Sequence, residues 1–341
     1  MDHLRLLWAP LPPLSGAMTT SLFTNAGINV PALLSALPPG MDVRVFAEPD
    51  DFSCGPLLPI RDLAEWRAGR LAYWRSVVGN IRETAATWAA SDLHGVSRVL
   101  VIAGMSLADQ LFLAWIFAVA ESLDFEVARI EVVQLRRNER GHCITSPALI
   151  TPAAIAASFS QARCLSTIEL RYLATAWEVA TAPDPASLLR FLDDSTPPLP
   201  ILRDGFARLL WRYPSATTGV NGAEELLLAN TRTYGPSVPR IIGETLAGAF
   251  DEEESVGDGW LFGRLRRLAN VDFPYPAVAL SGTTTEMRGT EAFLTEHGRN
   301  LLAGRFNFAR QNRIDDWVGG VHLHSHAGAV WFRTEKTLIR D

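Results

Sequence analysis

The chain has 341 residues, 48% of them apolar and 20% charged, with a formal net charge of −6. That composition is globular and excludes wholesale disorder, collagen-like repetition and low complexity, and the negative charge excludes a chain built wholly around a basic nucleic-acid surface. The length suits two domains, or one large one.

In chain order, β-rich runs alternate with helical stretches over residues 1–150. Strands are predicted at Leu4–Trp8, Val43–Ala47, Arg98–Ala103 and Val127–Val133, and helices at Val30–Leu37, Leu63–Ala90 and Leu107–Leu123. This alternation, with Arg98–Ala103 a nearly continuous apolar run, predicts an α/β fold with a parallel, Rossmann-like sheet covered on both faces. Ligands of such sheets sit beyond the carboxyl ends of the strands. The loops after Ala47 and Ala103 therefore draw attention first. The apolar tract Val99–Ala120 does not read as a membrane span. Its most apolar part, Leu111–Ala120, has about half the length needed, and an aspartate such as Asp109 inside a longer span costs ~3 kcal/mol.

Residues 151–200 read as a helical connector punctuated by Thr181-Ala182-Pro183-Asp184-Pro185 and Ser195-Thr196-Pro197-Pro198. Over 201–341, helices are predicted at Ile201–Arg212, Ala223–Asn230, Pro239–Phe250 and Trp260–Asn270. Strands follow at Ala277–Leu280 and Val321–Arg333, the latter a hairpin turning at Ser325–Ala329. Helices closed by a terminal β-hairpin predict a mainly helical, winged-helix-like C-terminal domain.

Several chemistries drop out by residue type. Among the 31 basic residues Lys336 is the sole lysine, and no glycine loop precedes it, so a phosphate-binding Walker loop is excluded. Schiff-base chemistry would rest on that one tail lysine. Cys54, Cys143 and Cys164 are dispersed and build neither a thiolate zinc site nor a disulfide framework. The apolar run at the start is too short for a signal peptide and is broken at Pro10, Pro12 and Pro13, which predicts a cytoplasmic protein.

The candidate site lies on two strand-to-helix loops. In Glu48-Pro49-Asp50-Asp51-Phe52-Ser53-Cys54-Gly55-Pro56, paired carboxylates at a strand end can bind a cation or act as a base, and Gly55 with its prolines fixes the turn. The same residues also suit an ordinary turn and cap. In Gly104-Met105-Ser106-Leu107-Ala108-Asp109-Gln110, the Gly-x-Ser-x-Ala spacing has the shape of a nucleophile elbow. It equally suits a helix start with Ser106 as N-cap and Asp109 at N3, or a helix N-terminus that receives an anion. Asp51, Gly55, Asp109 and Gln110 are expected to converge in one cleft, with Asp50, Ser53 and Ser106 beside them.

Elsewhere, His322, His324 and His326 alternate on one face of an extended segment, with Asp315 and Asp316 near in sequence. Exposed hairpin imidazoles with no assured fourth ligand are the expectation, and a structural metal site is not. Arg264, Arg266 and Arg267 share one short helix, yet residues 201–341 carry 16 basic against 17 acidic side chains, so nucleic acid is not the expected partner. Trp177, Trp211, Trp260, Trp317 and Trp331 read as core anchors.

The motifs together resemble one bacterial family, the domain-of-unknown-function family 1835. The resemblance rests on Asp50-Asp51-Phe52-Ser53-Cys54-Gly55-Pro56, Ala108-Asp109-Gln110, Leu294-Thr295-Glu296-His297-Gly298 and Trp317-Val318-Gly319-Gly320-Val321-His322-Leu323. Smaller matches lie at Trp177, Leu199-Pro200-Ile201-Leu202, Tyr213-Pro214, Gly222-Ala223-Glu224 and Leu302-Ala303-Gly304. Members often carry Gly-Asp-Ser soon after the first strand, where this chain reads Ser15-Gly16-Ala17-Met18-Thr19-Thr20. The resemblance supports the two-domain fold and lends weight to Asp51, Gly55, Asp109 and Gln110, and it names no activity. The expectation is an α/β domain that binds a small anionic or nucleotide-like ligand and a C-terminal domain that contacts a partner. The alternatives are a carboxylate- or metal-dependent hydrolase and a DNA-binding regulator. The cofactor, if any, is left open.

Overall fold

The computed structural model describes residues 19–25, 29–48, 50–79, 98–137, 141–251, 254–326, 330–335 and 337–341. The expected strand Leu4–Trp8 and the Ser15–Met18 stretch lie outside them, as do residues 80–90 of the expected helix Leu63–Ala90.

The N-terminal sheet is built from β1 (Thr19–Thr24), β2 (Asp42–Ala47), β4 (Arg98–Ala103), β5 (Ile130–Gln134) and β6 (Arg163–Cys164), in the order β2-β1-β4-β5-β6. The first four run parallel, and β6 pairs antiparallel to β5. The two-residue β3 (Gly55–Pro56) belongs to another sheet. The strands expected at Val43–Ala47 and Arg98–Ala103 are therefore not neighbours. β1, a strand missed in the sequence, lies between them with Ser21, Leu22, Phe23 and Thr24 fully buried.

Helices cover both faces. α1 (Val30–Ala36) and α4 (Pro152–Ser158) pack one face through Leu33 and Ile155. The other carries α3 (Leu107–Ser122), and α2 (Leu63–Val78) lies beside it. α3 is apolar all round because it is enclosed, with Leu111, Phe112, Leu113, Trp115 and Ile116 at most 0% exposed. It packs on α5 (Thr167–Thr181) and α7 (Pro200–Ala207), with α6 (Ala186–Leu192) between these two in sequence. No helix among the described residues is long and apolar enough to cross a membrane.

Further along come α8 (Gly222–Tyr234), α9 (Val238–Asp251) and α10 (Asp258–Leu268), mutually packed, then the hairpin of β7 (Val278–Gly282) and β8 (Thr290–Leu294). A single antiparallel bridge joins Ser237, between α8 and α9, to Glu291 on β8. The short helices α11 (Glu296–Leu302) and α12 (Phe308–Asn312) lead into β9 (Asp315–Gly319) and β10 (Val321–His324), and β11 (Trp331–Arg333) pairs with β12 (Leu338–Arg340).

Residues 327–329 of the turn expected within Val321–Arg333 lie outside the described residues, and the two segments flanking it pair elsewhere, β10 with β9 and β11 with β12. β10 turns back on β9 through Gly319-Gly320, where Gly319 has φ +56° and a Cβ on Gly320 would collide with the Thr181 carbonyl at the end of α5. Glycine there serves both the left-handed backbone and the close approach. β9 also pairs in parallel with β3, Gly55 opposite Val318, which ties residues 55–56 to the C-terminal hairpin. One continuous core runs from Phe23 and Val101 through Trp177 to Leu265 and Phe332, across the boundaries expected near residues 150 and 200. Trp177 and Trp260 are core residues, whereas Trp211, Trp317 and Trp331 are only partly buried.

Candidate functional site

The order β2-β1-β4-β5 reverses direction between β1 and β4, and the carboxyl ends of two such strands are the place where open parallel sheets take ligands. Asp109 lies there, itself buried. One turn into α3, its carboxyl accepts from the Gly104 N–H at the end of β4 and from the Asn25 side chain at the end of β1. Burial pushes this carboxyl up to about 7, the nearby charge of Asp51 adds to the rise, and the two donated hydrogen bonds oppose it.

The next residue, Gln110, grips the other side of the same peptide by donating to the Gly104 carbonyl, and its own oxygen accepts from Gln134 Nε2 at 3.3 Å. A chain of carboxyl and amide groups therefore spans the ends of β1, β4 and β5. Ser106 is buried, and its hydroxyl accepts from the Asp109 N–H as the helix cap. The elbow reading fails here, because the hydroxyl faces inward and is committed to the cap. The anion reading of this helix start is also displaced, since the N–H groups of Met105 and Ser106 donate to the carbonyls of Ile144 and Thr145.

The loop after β2 is held from within the protein. Arg70 of α2 makes a two-pronged pair with Asp50 at 2.6 and 2.7 Å, and its remaining N–H groups reach the carbonyls of Asp51, Cys54 and Pro56. Trp74 Nε1 donates to Asp50 as well, at 2.6 Å. Asp51 accepts from the Ser53 N–H and hydroxyl at 2.9 and 2.6 Å, with the Cys54 thiol at 3.6 Å. Burial and the Asp51 charge push that thiol far up, so it stays protonated and unreactive. Gly55 has φ +75°, and a Cβ there would overlap the Tyr73 ring. Of the expected set, Asp109 and Gln110 sit together on the Gly104 peptide at the switch point, and Asp51 is near enough for its charge to act on Asp109. Gly55 instead lines a water-sized cavity of about 10 Å³ shared with Arg212, Asn221, Arg264 and Asp316.

Residues missed in the sequence complete the picture. Asn25 and Gln134 mark strand ends, and Arg70 and Trp74 sit one helical turn apart, a pairing that α2's spacing would have allowed. Arg212, from the 3-10 turn Arg208–Arg212, shows no such signal. It is buried against Glu254 at 3.0 Å and holds Ser53. In the C-terminal half, Arg264 and Arg267 are paired with Glu224 and Asp316. Burial raises the Asp316 carboxyl, but the two arginines more than reverse this and leave it below the usual range. His322 bonds Asp315 at 2.6 Å and stacks on Trp317 at 4.2 Å. Among the described residues no group of three or more His, Cys, Asp or Glu side chains is placed to hold a metal ion.

No protein-family model and no curated protein matches this chain. Among solved structures, the DNA-binding, cleavage and re-ligation domain of Plasmodium falciparum topoisomerase II aligns with 95% of this chain and 54% of its own, at 9% identity and a TM-score of 0.46. The chain spans about half the length of that structure, and a likeness this low establishes no shared fold.

Proposed function

We propose that the chain is a ligand-binding protein whose Rossmann-like sheet takes a small anionic or nucleotide-like molecule at the carboxyl ends of β1 and β4. The observation that carries this reading is Asp109, a buried carboxyl bridging Asn25 and Gly104 at the switch point and poised to titrate near neutrality. In either protonation state it can bond a hydroxyl or amide edge of a ligand, with Asn25 and Gln134 as neutral companions.

The hydrolase alternative, which rests on Asp50, Asp51 and Asp109, is weaker, because its two loop carboxylates are already engaged. Asp50 is ion-paired with Arg70 and accepts from Trp74, and Asp51 is bonded by Ser53. A general base needs a free lone pair within reach of substrate.

In the C-terminal part, three helices, a β-hairpin and the Ser237–Glu291 bridge support a winged-helix-like unit. Its third helix, α10, would be the DNA-reading element. That helix instead lies against α2 at Gly263, where a Cβ would meet Val77, and it spends Arg264 and Arg267 on Glu224 and Asp316. The unit therefore serves protein contact rather than duplex recognition. On this reading the chain is a divergent member of family 1835 that lacks the Gly-Asp-Ser stretch.

Thermal-shift titration of the purified protein against nucleosides, nucleotides and divalent cations tests the assignment. A ligand at a hundredfold excess over Kd adds about 2.7 kcal/mol, a shift of several degrees. A nucleotide shift that shrinks in Asp109→Asn is the expected result. Stabilisation by divalent cations alone, with none by any nucleotide, would favour the hydrolase instead.

A further inference from the structure

β5 and β6 form the antiparallel end of the sheet, with Val132 opposite Arg163 and Glu131 opposite Cys164. Strand periodicity puts Val132, Gln134 and Arg136 on one face of the β5 segment, and Gln161, Arg163 and Leu165 on one face of the β6 segment. The register extended by two residues sets Gln134 across from Gln161. These six residues line a cleft of about 110 Å³ on that face of the β5–β6 pair, running from Val132 past the carboxyl end of β5. Its polar lining is two carboxamides and two guanidinium groups, with no carboxylate among the lining residues.

We propose that this cleft binds a tetrahedral oxyanion of the phosphoryl type. The inference rests on the ligand-binding reading above and deepens it, since it locates the charged end of that ligand. The volume suits one such group with its nearest waters. Guanidinium forks match phosphate oxygens in geometry and charge, and the amides supply neutral donors between them. Gln134 joins the cleft to the switch point, because its Nε2 donates to Gln110, which in turn holds the Gly104 peptide. A ligand lying along the carboxyl edge would thus meet Asp109 with its polar body and Arg136 with its anion.

The protein already shows what such a guanidinium attracts. Glu169, at the start of α5, accepts from Arg163 at 2.9 and 2.6 Å. Those bonds hold its carboxyl down at about 2, so it is an anion throughout the neutral range. An incoming phosphoryl group competes with Glu169 for Arg163 and meets no such rival among the described contacts of Arg136.

Calorimetric titration of the full chain with inorganic pyrophosphate, and separately with phosphate, provides the test. Arg136→Ala is expected to weaken pyrophosphate about tenfold, the worth of one charge-assisted fork. Glu169→Gln keeps the capping box of α5, which accepts either residue, and removes the competing charge. It is expected to tighten pyrophosphate about threefold, against roughly no change for Arg44→Ala at the opposite edge of the sheet. Equal weakening by Arg136→Ala and Arg44→Ala, or no tightening by Glu169→Gln, would overturn the site as a general charge effect. A nucleotide shift that survives Arg136→Ala unchanged overturns this inference alone. Pyrophosphate binding with the expected pattern in a chain that binds no nucleotide would uphold the oxyanion site and sink the wider reading.

Discussion

Arg212 donates to both the carbonyl and the hydroxyl of Ser53, at 3.0 Å each, across a sequence separation of 159 residues. One buried guanidinium thereby clamps the loop after β2 to the C-terminal half. Its charge is balanced by Glu254, itself enclosed and with its carboxyl raised by burial against the pull of Arg212.

Arg212→Met is expected to cost about 3–5 kcal/mol, because it strands the Glu254 carboxylate without its partner. Chemical denaturation measures this. The double variant with Glu254→Gln should recover much of the loss, and a single-variant cost below about 1 kcal/mol would show that the clamp contributes little.

Asp109 makes stability depend on pH. Its carboxyl ionises near 3.9 when unfolded and at about 7 when folded. The folded state therefore binds more protons in that interval, and stability is full below the lower value and lost as pH rises through the upper one. Unfolding free energy should fall by an amount on the order of a few kcal/mol between pH 5 and pH 8. In Asp109→Asn that slope should flatten, and an unaltered slope would reassign it to other groups.

Gly320→Ala places a methyl against the Thr181 carbonyl in a turn that also needs Gly319 left-handed. A loss of about 2 kcal/mol or more is expected, read as a drop in Tm of the full chain. A neutral substitution would mean that the β9–β10 turn shifts freely against α5.

DNA affinity should be weak. Arg264 and Arg267 are ion-paired, which leaves Arg266 as the exposed arginine of α10. A gel-shift titration at about 150 mM salt should show no submicromolar complex, since a single phosphate contact contributes a salt slope near 0.9. Submicromolar binding abolished by Arg266→Ala with Arg267→Ala would promote the regulator reading.

The legible parts of the fold were those where one residue type dominates a whole element. Arg98–Ala103 and Leu107–Ser122 announce themselves because every position is apolar or nearly so, as full burial requires. Thr19–Thr24 does not, because Thr20, Ser21 and Thr24 are polar yet buried, and only Leu22 and Phe23 carry an apolar signal. The C-terminal hairpin was misplaced for a different reason. Alternation in Val321–His324 is the same whichever partner the strand takes, and the choice of β9 is made by Gly319-Gly320 against α5, a contact between distant segments. At the site, Asp50 and Asp51 were visible as carboxylates at a strand end. That Arg70 would pair with Asp50, while Asp109 became the buried group, depends on which helix lies above which loop, and spacing does not encode that.

The parallel pairing of Gly55 with Val318 has a consequence in time. During synthesis at roughly 5–20 residues per second, the loop after β2 waits on the order of tens of seconds for its partner strand to leave the ribosome. Until then Cys54 lacks the enclosure that keeps its thiol inert in the finished protein. Nascent chains arrested before Asp315 should accordingly accept a thiol-reactive probe at Cys54 that the complete chain refuses, and equal protection in both would mean that Arg70 and Arg212 close the loop without β9.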